Sequence, residues 1–190
     1  MDFSFSDEQQ AIRDSVSRIC EKFPSEYWLD CDKAGEFPEE FVAAITDGGW
    51  FGIAMPENYG GSGLGITEAA IMAHTISRSG AGFTGASAVH LNLFGPHPIV
   101  VYGTEEQKQK FLPPLIKGED RACFGVTEPD TGLNTMKLKT EAVRDGDSYI
   151  INGQKLWTTT AQTANKILLI ARTSPIDSET RPTDSLSLFY

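Results

Sequence analysis

The segment ACFGVTEPDTGLNTMKLKTEAVRDGDSYIINGQKLWTTT, residues 122–160, decides how this chain folds. Its opening run, Ala122 to Val126, is a short apolar strand that must stop at Pro129, because proline brings no N–H to a ladder and holds the chain in a turn. Gly132 is the next break. Leu138 to Val143 reads as a strand, Asp145-Gly146 as its turn, and Ser148 to Ile151 as the returning partner. Asn152-Gly153 then turns the chain again. Both dipeptides accept the positive φ of a type I′ hairpin turn, so the spacing predicts a meander of antiparallel strands. Farther on, Ile167 to Ala171 and Leu186 to Tyr190 read as two more apolar strands, separated by a polar loop from Ser174 to Thr183. A terminal strand needs a neighbour and about five strands do not readily close a barrel, so a longer β-domain is expected.

Upstream of residue 121 the periodicity is helical. Ser6 followed by Gln9 has the form of a capping box, and Ile12, Val16, Ile19 and Phe23 recur at helical spacing up to Pro24. Pro38 with Glu39 and Glu40 opens a second helix that Gly48-Gly49 closes. Thr67-Glu68 opens a third, which Gly80 ends. Gly85 to Phe94 reads as a fourth, continuing past Pro96 and Pro98 to Tyr102. Thr104 with Gln107 repeats the capping-box form, and the helix it opens, Glu105 to Leu112, is expected to stop at Pro113-Pro114. The glycine-dense stretch from Glu57 to Gly65 invites a phosphate-loop reading, but no βαβ unit surrounds it and no Gly-Lys-Ser/Thr follows. A tight loop that lets Tyr59 and Leu64 pack between helices explains it better. The expected organisation is a helical domain over 1–120 and a β-domain over 121–190.

Composition narrows the function classes. The chain is 40% hydrophobic and 10% aromatic, ordinary for a soluble globular protein. A net charge of −10 opposes non-specific binding to nucleic acid or to anionic membranes. Cys20, Cys31 and Cys123 show no Cys-x-x-Cys spacing, which favours a reducing compartment over disulfides or zinc. His74, His90 and His97 have no metal-like spacing. Met1-Asp2-Phe3-Ser4 lacks the character of a signal peptide and no apolar run is long enough to span a bilayer, so a cytoplasmic location is expected.

Phe124-Gly125-Val126-Thr127-Glu128-Pro129 with Gly132, followed by Asp145-Gly146-Asp147, Tyr149, Asn152-Gly153, Lys155, Trp157 and Thr159, resembles the acyl-CoA dehydrogenase family. Met55-Pro56-Glu57-Asn58-Tyr59-Gly60-Gly61 and Gly103-Thr104-Glu105-Glu106-Gln107-Lys108 look like the same family's helical domain. The ordered set covers nearly the whole chain. The resemblance implies an α+β fold: an all-helical N-terminal domain, then an antiparallel β-barrel-like domain that is incomplete, with the C-terminal helical bundle missing.

It implies FAD as cofactor, with Phe124, Val126, Thr127, Gly132, Leu133, Trp157, Thr158 and Thr159 as binding positions. Val126 and Thr127 would approach the pyrimidine edge of the isoalloxazine, Trp157 would lie against its face, and Thr159 would sit near N5. Fixed N–H and O–H donors at that edge stabilise the charge that develops on reduction. Singly, each position has a plainer reading: a threonine beside proline commonly caps its own backbone, and a tryptophan in a hairpin is usually core. Leu133 departs from the serine the family often has, which removes a hydroxyl contact. His90, Leu91 and Phe94, together with Leu133, are candidate acyl-CoA contacts. The implied activity is α,β-dehydrogenation of an acyl-CoA thioester in fatty acid metabolism, with electrons passed to an electron-transfer flavoprotein and assembly as a homodimer or homotetramer. No catalytic base is assigned, because the family's glutamate lies in the part of the fold that this sequence lacks. Glu128 suits a structural hydrogen-bonding role. An oxidase on the same scaffold, or a non-catalytic module that kept the fold, are the alternatives.

Overall fold

A computed structural model describes residues 4–176 and 181–190, so the reading of Met1 to Phe3, and that of residues 177–180 in the polar loop, lie outside the described residues. The chain divides into two compact units, Met1–Arg121 and Ala122–Tyr190.

The first unit is helical. Helix α1 (Asp7–Cys20) starts where the capping box predicts: the Gln9 N–H donates to Ser6 Oγ at 3.2 Å, and the Ser6 N–H donates to Gln9 Oε1 at 3.1 Å. It buries Ile12, Val16 and Cys20. Pro24 does not end this helix but begins another, α2 (Ser25–Ala34), which periodicity misses because Trp28 is its one buried residue. Helix α3 (Glu39–Asp47) buries Phe41, Val42 and Ile45, with Pro38 just before its first residue. Trp28 and Phe23 meet Phe41 edge-on, with ring centroids 4.9 and 5.3 Å apart. Phe41 is fully buried, and burial of such a side chain stabilises by about 1.5–3 kcal/mol.

The glycine-dense stretch folds back on the segment before it. Ser62, Gly63 and Leu64 donate their N–H groups to the carbonyls of Gly52, Met55 and Ile53 at 2.8–3.0 Å. A Cβ on Gly61 would stand 2.1 Å from the Met55 carbonyl oxygen, so only glycine allows this approach. Tyr59 is buried and donates to Glu105 at 2.9 Å, and Leu64 packs on the helical core.

Helix α4 (Ile66–Ile76) gives way over Ser77–Ala81 to a kink at Gly80, whose φ of 98° is not helical, so the break falls where that glycine predicts it, and α5 (Gly82–Leu93) follows. The continuous fourth helix expected through Pro96 and Pro98 is instead two. Helix α6 (His97–Tyr102) is separate, with Pro98 in its first turn, where a missing N–H costs nothing. Helix α7 (Glu105–Ile116) begins with the predicted Thr104–Gln107 box but does not stop at Pro113-Pro114. The carbonyls these prolines cannot pair belong to Gln109 and Lys110, both exposed to water, while Leu112, Leu115 and Ile116 anchor the last turns.

The second unit is a five-stranded sheet of β1 (Ala122–Gly125), β2 (Glu141–Asp145), β3 (Ser148–Asn152), β4 (Lys166–Arg172) and β5 (Leu186–Phe189). The predicted hairpin is present: β2 and β3 pair antiparallel around Asp145↔Ser148. The antiparallel meander is not. Residues 154–165 do not return beside β3 but cross over, so that β4 becomes the central strand. It pairs parallel with β1 from Ala122↔Lys166 to Gly125↔Leu169, parallel with β2 at Glu141↔Arg172, and antiparallel with β5. The α+β class holds, with a mixed sheet.

Leu138 to Thr140 are likewise not part of a strand. Side chains take most of a ladder's place there, since the Lys139 and Thr140 N–H groups donate to Glu128 and the Leu138 carbonyl accepts from Arg172 Nε, while the Thr140 carbonyl accepts from the Arg172 backbone N–H at 2.8 Å.

Candidate functional site

Strand β1 delivers Phe124 and then the turn at Glu128. The Glu128 N–H donates to the Thr131 carbonyl at 2.9 Å and the Thr131 N–H returns to the Glu128 carbonyl at 3.1 Å, so Pro129 and Asp130 form a tight two-residue turn. Gly132 and Leu133 then project beyond it, and Leu133 is fully exposed. The second predicted segment, 155–160, lies alongside. The Leu156 N–H donates to the Thr127 carbonyl at 2.8 Å, which fixes the two loops edge to edge.

Trp157 is the unusual residue. Its φ is 57° and its side chain is 87% exposed. The left-handed backbone costs an L-residue roughly 1–2 kcal/mol, and a bulky side chain there is uncommon. Among the described residues nothing buries Trp157 to offset this. Thr160 follows with φ 63°, and Thr158 and Thr159 stand between them, Thr159 exposed.

Beneath the loops lies a buried ion pair. Glu128 Oε1 accepts from Lys155 Nζ at 2.9 Å and from the Thr140 N–H at 2.9 Å, and Oε2 accepts from the Lys139 N–H at 2.6 Å. Lys155 Nζ also donates to the Val126 carbonyl at 3.1 Å. The two side chains are 5% and 9% exposed. Burial alone would raise the Glu128 pKa. Hydrogen bonds from the Lys139 N–H, Lys155 and the Thr140 N–H, with the Thr140 side chain close by, outweigh it and hold the carboxyl at about 2. A carboxylate so engaged is an acceptor and a poor general base, in line with the structural role expected of it.

The structure thus brings Phe124, Val126, Thr127, Gly132, Leu133, Trp157, Thr158 and Thr159 into one unit, on two adjoining loops and the strand that feeds them. His90, Leu91 and Phe94 belong to the helical unit. His90 is exposed, Leu91 and Phe94 are half-buried, and the His90 and Phe94 rings are 5.4 Å apart.

Two residues behind the site carry more than sequence reading assigns to them. Lys155 is part of the family pattern without a role of its own. Arg172, at the end of an apolar strand, is buried and donates to the carbonyls of Leu138, Met136 and Pro182 and to Ser185 Oγ. An arginine closing so apolar a run is the signal that could have marked it. Among the described residues no His, Cys, Asp and Glu cluster could hold a metal ion, and no helix is long and apolar enough to cross a membrane.

Comparison with known proteins agrees with this architecture. Residues 6–119 match the model for the acyl-CoA dehydrogenase N-terminal domain and residues 123–190 that for the acyl-CoA dehydrogenase middle domain. The chain is 36% identical over 173 residues to a probable acyl-CoA dehydrogenase, YngJ, of Bacillus subtilis, covering 91% of this chain and 45% of that one. It superposes on the crystal structure of acyl-CoA dehydrogenase from Geobacillus kaustophilus with a TM-score of 0.87 at 29% identity, covering 99% of this chain and 48% of the other. It also superposes on a chain from a structural study of the electron transferring flavoprotein of Acidaminococcus fermentans, with a TM-score of 0.88 at 32% identity, covering 100% of this chain and 48% of that one. It therefore spans about half the length of the relatives it matches. With both domain models matched in order over nearly all its residues, the chain belongs to the acyl-CoA dehydrogenase family.

Proposed function

We propose that this chain is the amino-terminal portion of an FAD-dependent acyl-CoA dehydrogenase, which converts an acyl-CoA thioester to the enoyl-CoA and passes the electrons to an electron-transfer flavoprotein. The observation that carries the reading is Trp157. It is held in a left-handed backbone, open to solvent, and fixed beside the Thr127 loop by the Leu156 hydrogen bond. A flat apolar face next to a turn rich in polar groups suits a ring system with one polar edge.

In this reading Trp157 stacks on the flavin and excludes water from one face. Val126 and Thr127 offer backbone N–H and hydroxyl donors to its polar edge, and Thr159 stands near the reacting nitrogen. Phe124, Gly132, Leu133 and Thr158 line the remainder. When bound, FAD supplies the acceptor for the hydride equivalent that leaves the acyl β-carbon. Leu133 with His90, Leu91 and Phe94 would contact the acyl-CoA. The donors act by being fixed in place beforehand, so that no reorganisation is needed as charge develops. The α-proton is removed by a base outside these residues. A homodimer or homotetramer in the cytoplasm completes the proposal.

The test is the full-length protein purified from its source. Bound flavin whose visible absorbance is bleached by acyl-CoA under anaerobic conditions is the expected result. A product that ends at Tyr190, or one that takes up no FAD, overturns the reading.

A further inference from the structure

Two loops must keep their places for Thr127 and Trp157 to address one ligand. Among the described residues, one backbone hydrogen bond, from the Leu156 N–H to the Thr127 carbonyl, links them directly. Such a bond contributes little on its own, and Trp157 is strained, so something else must over-determine the arrangement.

We propose that Glu128 and Lys155 are positioning residues: a buried clamp that sets the two loops against each other and thereby the affinity for the flavin. The inference rests on the flavin reading above. The pair joins three stretches of backbone at one point. Lys155, two residues before Trp157, holds both the Glu128 carboxylate and the Val126 carbonyl, the residue just before Thr127. Glu128, one residue after Thr127, holds the N–H groups of Lys139 and Thr140, which precede β2. Both loops are thus tied to each other and to the start of the β2–β3 hairpin.

Stability alone does not explain this choice of residues. A buried ion pair is often no more stabilising than apolar side chains of the same volume. What apolar side chains cannot do is satisfy the Val126 carbonyl and two N–H groups in fixed directions. Charge-assisted bonds are short and directional, so the pair supplies aim as well as cohesion.

The experiment uses the full-length protein with FAD as the probe, comparing the wild type with Lys155→Met and with the double variant Glu128→Gln/Lys155→Met. The double variant leaves no unpaired buried charge and covers the case in which Lys155→Met does not fold. The expected result is a loss of FAD affinity of about tenfold or more. It comes with hydrogen exchange at the Leu156 N–H that speeds up by a larger factor than at the Leu168 and Leu169 amides of β4, which register any general loss of stability. Folded variants that bind FAD as tightly as the wild type, or whose Leu156 N–H speeds up by no more than those amides, overturn the clamp. A wild-type protein that binds no FAD overturns the underlying reading instead, and the clamp as a cofactor device falls with it whatever the exchange rates show.

Discussion

Replacing Glu128 with glutamine tests the buried carboxylate in the plainest way. In the wild type, Oε2 receives the Lys139 N–H while Oε1 receives the Thr140 N–H and Lys155. An amide must turn its NH2 toward one of these donors, leaving two donors face to face and the Lys155 charge without its counter-ion. The same carboxylate sets an acid limit on stability. Its pKa falls from an ordinary 4.5 to about 2 in the folded state, and at about 1.4 kcal/mol per pH unit that is on the order of 3 kcal/mol. Because the folded value is the lower one, this stabilisation is fully present above pH ~4.5 and is lost as the pH falls toward ~2. Urea titrations at several pH values, followed by the amide NMR signals of Leu168 and Leu169, report the β-unit alone. At pH 7, Glu128→Gln is expected to lose about 2–4 kcal/mol. The gap to the wild type should narrow steadily as the pH drops from 5 to 3. A loss under about 0.5 kcal/mol at pH 7, or a gap that does not change with pH, would refute the reasoning.

Gly61→Ala drives a methyl group into the Met55 carbonyl and is expected to cost about 2–4 kcal/mol, read as a fall in the melting temperature of the helical unit. Trp157→Gly removes an exposed side chain from a left-handed backbone, so stability should hold or rise by up to about 1 kcal/mol. Flavin binding to the full-length protein should be lost, and a destabilised variant would contradict this account. Arg172→Met strips the Leu138 and Met136 carbonyls and the Ser185 hydroxyl of their donor, while the Pro182 carbonyl keeps the Ser185 hydroxyl, and should cost about 3 kcal/mol or more in urea unfolding of the β-unit.

Legibility in the sequence follows the range of the interaction. Ser6 with Gln9, and Thr104 with Gln107, are contacts across three residues, and both caps stand where the pattern puts them. The Asp145-Gly146 hairpin is equally local. Helix α2 escapes because one buried tryptophan makes no period, although Gly35, with φ 67°, marks its end. Pro113-Pro114 mislead because the carbonyls they abandon can turn to water. The site divides in the same way. Its two loops are visible as motifs, whereas the pair beneath them joins residues 128 and 155, whose meeting depends on a crossover that no local pattern announces.

The placement of β4 has a consequence for how this chain is made. Strand β1 is synthesised at residues 122–125, yet its parallel partner begins at Lys166. Parallel strands need such a crossover, and contacts so distant in sequence form slowly. While the helical unit can assemble from largely local contacts as it leaves the ribosome, the first sheet strand waits with an open edge until the central one arrives. During that interval the Phe124 strand is the part of the nascent chain most exposed to wrong partners.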